Sequence, residues 1–560
     1  MHDLIAFAAG QVRRLIDDAF VSAASAGALP IAGLPSYMVE IPAETEHGDF
    51  AANIAMASAR ALKMPSRAVA DAVVAHIEPN ELFREVQVAG PGFINFFLSD
   101  RFFDDALKLI FDLGADYGRT DAGAGQKSLV EFVSANPTGP MHLGNARGGA
   151  LGDSLAALLD ACGYTVEREF YVNDAGNQIA RFAASLEARY LALFQENVEF
   201  PEDGYQGEDI AEHARDFAAE FADSFVAVPS ERRREALVAY ALPKNIDAMK
   251  AALHAYRIDY DNWFLESSLH ADGAVRRVMD TLAANGHTYE KDGALWYRAT
   301  DFGGEKDEVL MRSNGFYTYF AADIAYHHNK LVTRGFDLAI DIWGADHHGH
   351  VARLKGAMQA LGIDSARLEV VLTQMVNLVR DGQPVRMSKR TGKMITLLTL
   401  LDEIPIDAAR FYFILREYSS HFDFDLDLAI KKSNDNPVYY VQYAHARICS
   451  ILNGLAAEGL AEDYENGDFS LLMDPDERAL IRRLALLPGE IAAAAREREP
   501  ARMTRYAVDL ATAFHRFYTN CRVKVEDAAL CSARAALCAA TRQTLRNCLG
   551  LLKINAPESM

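Results

Sequence analysis

Two segments far apart in the chain carry residue types suited to phosphate chemistry. The first, Glu131-Phe-Val-Ser-Ala-Asn-Pro-Thr-Gly-Pro-Met-His-Leu-Gly-Asn145, sets His142 and Asn145 on the opening turn of a helix, either side of Gly144. A helix N-terminus presents free backbone N–H groups and a positive dipole end, and so receives phosphates well. Gly144 has no side chain and lets an adenine or ribose press against the backbone. His142 and Asn145 can donate hydrogen bonds to phosphate oxygens as charge builds there. The second segment is Val385-Arg-Met-Ser-Lys-Arg390, whose Lys389, on a loop behind a hairpin, can reach the same phosphates. Taken singly, these segments are a tight turn with a capping histidine and a solvated basic turn. Taken together they describe a site that stabilises charge during phosphoryl transfer, where little covalent chemistry is asked of the protein. The first loop lacks Gly-x-Gly-x-x-Gly, which argues against dinucleotide binding.

The elements that must hold these residues form a βαβ pattern. Leu129 to Val133 reads as a strand, followed by the Pro/Gly loop, a helix with Leu151, Leu155, Leu158 and Leu159 on one face and a stop at Gly163, and a strand from Thr165 to Val172. Residues 174–308 are helix-rich, strongly charged and without a nucleotide loop, and read as an insertion. The α/β pattern resumes with a helix around Phe320 to Val332, a strand Leu338 to Trp343, a helix Val351 to Leu361 and a strand Leu368 to Leu372. Asn377 to Met387 then forms a hairpin around Asp381-Gly382, delivering the basic loop. The expected class is α/β, a doubly wound Rossmann-like catalytic domain over 119–428 with that insertion. A small α+β domain precedes it over 1–118, and an α-helical bundle follows over 429–560.

Of 560 residues, 50% are hydrophobic and 24% charged, which provides for several cores and excludes intrinsic disorder. No run approaches the length of a membrane span, and Met1-His2-Asp3 lacks the layout of a secretory signal, so a cytoplasmic protein with no membrane partner is expected. The six cysteines include no Cys-x-x-Cys pair and read as buried free thiols rather than a disulfide framework or thiolate zinc site. His347, His348 and His350 read as a loop of hydrogen-bonding histidines, not a metal site. A net charge of −22 repels nucleic acid, so any RNA must land on local basic patches. Candidates are Arg386, Lys389, Arg390 and Lys393, the pair Lys431 and Lys432, and a run containing Arg496, Arg498, Arg502 and Arg505.

The two phosphate segments together resemble the His-Ile-Gly-His and Lys-Met-Ser-Lys-Ser signatures of class I aminoacyl-tRNA synthetases. Asn145 replaces the second histidine and Arg386 the first lysine, keeping hydrogen bonding and charge respectively. Within that class the chain resembles the bacterial arginyl-tRNA synthetases over nearly its whole length. The resemblance rests on Glu131-x-x-Ser-x-Asn136, Tyr319-x-x-x-Asp323, Trp343-Gly-Ala-Asp-His-His-Gly, Asp407-Ala-Ala-Arg-Phe411, Pro557-Glu-Ser-Met560 and the N-terminal His47-Gly-Asp-Phe-Ala-Ala-Asn53.

The resemblance implies an arginine–tRNA ligase. Its substrates are ATP, entering with magnesium, L-arginine and tRNA(Arg); no tightly bound cofactor and no protein-held metal are expected, and the working form is expected to be a monomer. His142, Asn145 and Lys389 would be catalytic, and His142, Gly144, Asn145, Arg386, Met387, Ser388 and Lys389 would bind ATP. Glu131, Ser134, Asn136, Asn145, Tyr319 and Asp323 would line the arginine pocket, Asp323 gripping the guanidinium, and His347 would stand where relatives carry Gln. Asn53 would touch the tRNA D-loop, and the bundle the anticodon.

Two rivals can be set against this. A small-molecule nucleotidyltransferase would leave the N-terminal module and the bundle without a task. A non-catalytic RNA-binding descendant would be expected to lose His142 or Lys389, and both are present.

Overall fold

The computed structural model describes residues 3–31, 33–385, 395–460 and 463–560. Arg386, Met387, Ser388 and Lys389, with Arg390 and Lys393, lie outside the described residues.

In the N-terminal module, helix α1 (Leu4–Ser25) precedes four short strands, β1 (Val39–Glu40), β2 (Phe50–Ala52), β3 (Phe83–Ala89) and β4 (Phe93–Leu98). They pair antiparallel in the order β1-β2-β4-β3. The apolar run behind Gly90-Pro91-Gly92 is β4, whose Ile94, Phe96 and Leu98 are buried. Helices α2 (Ile54–Leu62), α3 (Ser66–Val74) and α4 (Asp100–Leu113) complete the module.

The catalytic sheet has five parallel strands. Chain order is β5 (Lys127–Glu131), α5 (Leu143–Ala161), β6 (Thr165–Val172), three helices α6 (Gly176–Leu191), α7 (Glu208–Phe221) and α8 (Ser230–Ala255), then β7 (Asn262–Leu265). After it come α9 (Glu266–Ala271), α10 (Ala274–Ala284), and a small antiparallel sheet of β8 (Thr288–Lys291), β9 (Ala294–Tyr297) and β10 (Glu308–Met311). The second half is α11 (Tyr319–His328), β11 (Leu338–Gly344), α12 (His348–Ala360) and β12 (Leu368–Thr373). Sheet order is β12-β11-β5-β6-β7. The chain leaves β5 toward β6 on one side and returns through β11 on the other, so the order reverses between β5 and β11. In such sheets the crevice at the carboxyl ends of the strands flanking the reversal receives the ligand. Gly152 lets α5 lie flat on the sheet, because a Cβ there would stand 2.3 Å from the Phe132 ring.

One boundary differs from expectation. The segment 174–308, read as a single insertion, contains the edge strand β7, which pairs in register with Glu169 to Val172 of β6. The extra helices are α6 to α8, which share a core of Phe182, Leu186, Tyr190, Ile210, Phe217 and Leu237. A four-residue strand between helical stretches leaves almost no alternation to detect.

The Asp381-Gly382 turn has φ of 51° and 68°, the left-handed pair that a two-residue hairpin requires, and joins β13 (Val376–Arg380) to β14 (Gln383–Pro384). Strand β13 also pairs in parallel with β15 (Phe422–Asp425). The C-terminal bundle consists of helices Pro437–Ala457, Pro475–Ala485, Leu487–Glu497, Ala501–Asn520 and Ala528–Leu551. All six cysteines are buried and free. Among the described residues no helix is long and apolar enough to cross a membrane.

A buried ion pair ties the domains together. Arg410 and Asp153 are at most 1% exposed and lie 2.6 Å apart, Arg410 Nη2 to Asp153 Oδ2. Arg410 Nε donates to the carbonyl of Leu552 (2.7 Å) and Nη1 to that of Tyr256 (3.1 Å), so one guanidinium joins α5, the end of α8 and the end of the bundle. Arg410→Met is expected to lower stability by about 3 kcal/mol, the lower end of the cost of breaking a buried pair, because Arg168 Nε still reaches the other oxygen of Asp153 at 3.3 Å. Urea unfolding followed by tryptophan fluorescence checks this; a change below about 0.5 kcal/mol would mean the pair is dispensable.

Candidate active site at the carboxyl edge of the parallel sheet

The chain leaves β5 through a strained turn. Val133 and Ser134 have φ of 69° and 40°, left-handed values that cost non-glycine residues, a β-branched one above all. The turn folds Ser134 back so that its Oγ donates to Glu131 Oε1 (2.8 Å) and accepts from the backbone N–H of Tyr171 on β6 (3.1 Å). Asn136 is exposed beyond it. His142 is the N-cap of α5, and its backbone N–H donates to Asn145 Oδ1 at 3.1 Å. Asn145 therefore closes the helix end with its oxygen and keeps its amide N–H groups for donation. A Cβ on Gly144 would meet no atom within 4 Å, so no protein packing demands glycine there.

The two phosphate segments meet. Leu143 N donates to Ile395 O (3.1 Å) and Leu397 N to Met141 O (3.0 Å), with His142 bridging Thr396. The stretch that follows the basic segment is thus stitched by its backbone to the His142 turn.

Beneath this edge lies a charge cluster that sequence reasoning missed. Lys330, fully buried in a π-helical turn (Asn329–Thr333), donates to Glu131 Oε2 (2.5 Å) and Asp341 Oδ1 (2.8 Å). His327 faces Asp341 Oδ2 (2.6 Å) with Nε2 and the Asp323 carbonyl (2.7 Å) with Nδ1, both acceptors. Burial disfavours charge on Asp341, but Lys330 and His327 outweigh it and hold the carboxyl down at about 2. Burial pushes Glu131 up, with Lys330 opposing and Asp341 reinforcing the shift. Both oxygens of Glu131 are thus engaged inside the protein. It is buried, with no oxygen left unpaired.

Asp323 and Glu266 differ. Each is 6% exposed, and among the described residues neither pairs with a lysine or arginine. Glu266, at the end of β7, is raised by burial, opposed by a bond from Tyr171 and by His270, and pushed further by the charge of Asp323. The two carboxylates therefore lie close enough to repel each other. Asp323 Oδ2 accepts from His350 Nε2 (2.7 Å). Tyr319, one helical turn before Asp323, is 58% exposed, and the Asp323 charge, then burial, push its phenol up, so it remains a donor. His347 is exposed, with its ring against Trp343.

Two readings need correction. His348 and His350 are in the first turn of α12, not in a loop, and His350 is buried. The basic run after residue 495 is largely occupied within the protein. Arg498 grips both oxygens of Glu369 (2.7 and 3.1 Å), Arg502 pairs with Glu490 and Glu497, and Arg496 pairs with Glu497. In the N-terminal module Asn53 stands at the N-cap of α2 without capping it by its side chain; its Oδ1 accepts from Met38 N at 2.8 Å.

A helix N-terminus beside the switch point of a parallel sheet, stitched to the chain that follows a basic segment, is the construction of a class I aminoacyl-tRNA synthetase. The family model described as tRNA synthetases class I (R), catalytic domain, matches residues 112–412. Residues 11–98 match the arginyl tRNA synthetase N terminal domain, and 441–560 the DALR anticodon binding domain. The chain belongs to the arginyl-tRNA synthetase family. It is 53% identical to the arginine–tRNA ligase of Caldanaerobacter subterraneus over 562 aligned positions, covering 100% of both chains. A Campylobacter jejuni structure titled as a putative arginyl-tRNA synthetase superposes with a TM-score of 0.75 at 34% identity, over 83% of this chain and 100% of that one. The Thermus thermophilus arginyl-tRNA synthetase shares the fold, with a TM-score of 0.74 at 23% identity over 98% and 100% of the two chains.

Lys330→Met is expected to cost about 3–5 kcal/mol, since two buried carboxylates lose their cation. Adding Asp341→Asn should recover part of that loss. Strict additivity of the two changes in thermal unfolding would show that the groups are not coupled.

Proposed function

We propose that the crevice at the carboxyl ends of β5 and β11 activates L-arginine with ATP and magnesium, and that Asp323 and Glu266 receive the guanidinium. The overall reaction is that of an arginine–tRNA ligase. The arginine carboxylate attacks the α-phosphate in line, forming arginyl-adenylate and releasing pyrophosphate. A hydroxyl of the terminal tRNA ribose then attacks the activated carbonyl and AMP leaves. His142, the Asn145 amide and, from the segment outside the described residues, Lys389 neutralise the charge that develops on phosphate. Gly144 leaves room for the nucleoside. Ser134, Asn136 and His347 line the approach, and Glu131 acts through Ser134. The observation that carries this reading is the pairing of Met141–Leu143 with Ile395–Leu397, which supports a single site made from both phosphate segments.

For the tRNA, the first bundle helix offers an aromatic ladder. Tyr439 and Tyr443 stack at 6.1 Å between ring centres, and Arg447 lies 4.8 Å over Tyr443 and 5.3 Å over Tyr518. Aromatic faces with an arginine are the usual platform for unpaired bases, and support anticodon contact by the bundle. We assign the D-loop to the module that holds Asn53, and propose a cytoplasmic monomer.

Arginine, lysine and citrulline distinguish this pocket from a general cation site. A guanidinium brings a planar fork of donors, and a site built to pair with it rejects an analogue lacking them by roughly ten-thousandfold. Asp323→Asn and Glu266→Gln should each lower kcat/KM for arginine at least about a hundredfold, the range expected when a buried charged hydrogen bond is removed. Both should leave the ATP KM near native. Arginine activation within a few-fold of native in both variants would place the guanidinium elsewhere.

Asn53→Ala should reduce tRNA charging more than arginine-dependent chemistry in the pocket. Its bond to Met38 sets the β1–α2 junction, so thermal unfolding must be measured alongside. Reduced charging at an unchanged midpoint supports RNA contact; a lower midpoint with normal charging restricts Asn53 to the Met38 bond.

A further inference from the structure

His350 can bond Asp323 in two ways with opposite consequences. As a neutral ring donating Nε2–H, it orients the carboxylate and leaves its negative charge in place. As an imidazolium, it neutralises that charge and competes with any incoming cation. Which form is present depends on the other nitrogen, and here the structure is specific. Arg353, one turn later on α12, donates from Nε to His350 Nδ1 at 2.8 Å. A guanidinium has no acceptor and keeps its protons, so Nδ1 must be the unprotonated nitrogen and the single ring proton lies on Nε2. A second ring proton would point at the N–H of Arg353.

We propose that Arg353 is a positioning residue that locks His350 as a neutral Nε2–H donor, so that the Asp323 carboxylate is oriented by the protein yet keeps its charge for a guanidinium. The inference rests on the reading that Asp323 receives arginine. Arg353 is itself held by Glu308 of β10, which accepts from Nη1 at 3.0 Å, and its guanidinium lies 5.5 Å over the Phe320 ring. The other groups facing His350 are Asp323, Tyr319 and Phe320 from α11 and Trp343 from β11. Glu266 reaches it only through the field it shares with Asp323. Of these, Arg353 alone contacts Nδ1. His327 is the contrasting case in the same helix pair, because both of its nitrogens face acceptors and no donor restricts it.

The consequence is a pH profile. In the native enzyme, arginine KM should show no step from His350. In Arg353→Leu, Nδ1 is free to take a proton as pH falls through the imidazole range, and the resulting cation competes for Asp323. Arginine KM should then rise severalfold as pH falls from 7.5 to 5.5, beyond any change in the native enzyme. The KM for ATP should follow the native profile. Arg353→Lys keeps a charged donor and should behave as native. His350→Gln offers an amide N–H to Asp323 and an oxygen to Arg353 but cannot titrate, so Arg353→Leu with His350→Gln should lose the step. Steady-state assays with tRNA on the full-length enzymes give these profiles. A profile for Arg353→Leu that parallels the native one, or a double variant as steep as Arg353→Leu, overturns the lock.

A second measurement reads the ring directly in the native protein. Nitrogen-15 NMR of ring-labelled histidine, with His350 assigned by its loss in His350→Gln, should show Nδ1 unprotonated and Nε2 protonated from pH 8 to 6. A protonated Nδ1 in that range refutes the proposal. Asp323→Asn, assayed in parallel, separates the two ideas: a native arginine KM in that variant refutes the guanidinium assignment itself, whatever Arg353 does.

Discussion

The site depends on one buried cation. Strands β5 and β11 are neighbours at the switch point, and each brings an acid into the sheet, Glu131 and Asp341. Two carboxylates in the interior are untenable without compensation, since the desolvation of each ion costs several kcal/mol. Lys330 supplies that compensation through short bonds to both. The π-helical turn that carries it extends α11, so the element that presents Asp323 to the pocket is anchored by the same ammonium that holds β5 to β11. Strand register, helix position and pocket charge are therefore linked through a single side chain.

That neutralised layer leaves two further buried carboxylates in a different state. Glu131 and Asp341 are matched by Lys330, whereas Asp323 and Glu266 face histidines, His350 and His270, and no lysine or arginine among the described residues. The strained turn at Val133 and Ser134 serves the same arrangement. It sends the chain away from β5 sharply enough for Ser134 to bridge Glu131 and β6, and costs of order 1–3 kcal/mol per residue. A relaxed loop would avoid that cost but leave Glu131 bonded on one side only. The same residues that hold the acid are then preorganised at the entrance to the nucleotide turn.

Much of this was legible in sequence wherever a local rule applied. Strand β6 runs over the expected Thr165–Val172, β11 and β12 each extend one residue past the expected ends, and the Asp-Gly turn has the backbone its residues require. His142, Gly144 and Asn145 stand on the helix opening because a Pro/Gly loop before a Leu-periodic run determines it. What escaped were interactions with no sequence period. Lys330 follows two histidines in a segment that otherwise reads as an ordinary amphipathic end, and its partners lie 199 and 11 residues away in the chain. Glu266 follows a strand too short to recognise. His350 was visible as one of several histidines, but its assignment to a loop hid the i, i+3 relation to Arg353 that gives it meaning.

The distribution of charge also resolves an apparent conflict. A chain of net charge −22 must bind a polyanion and a cation. On the reading proposed above, the cation is met by carboxylates kept from their own lysines and arginines, at close range and in low dielectric, where one unit of charge counts for most. In the basic run after residue 495, Arg498 and Arg502 are already paired with glutamates, so fewer of its charges are available to the polyanion. The RNA contacts proposed above are of a kind that works without net attraction: stacking on Tyr439 and Tyr443, and hydrogen bonds at fixed positions such as Asn53. Stacking energies of about 1–3 kcal/mol per base are large enough to carry that load and are little affected by net charge. A surface that does not attract every phosphate backbone would leave discrimination to shape and to the bases themselves.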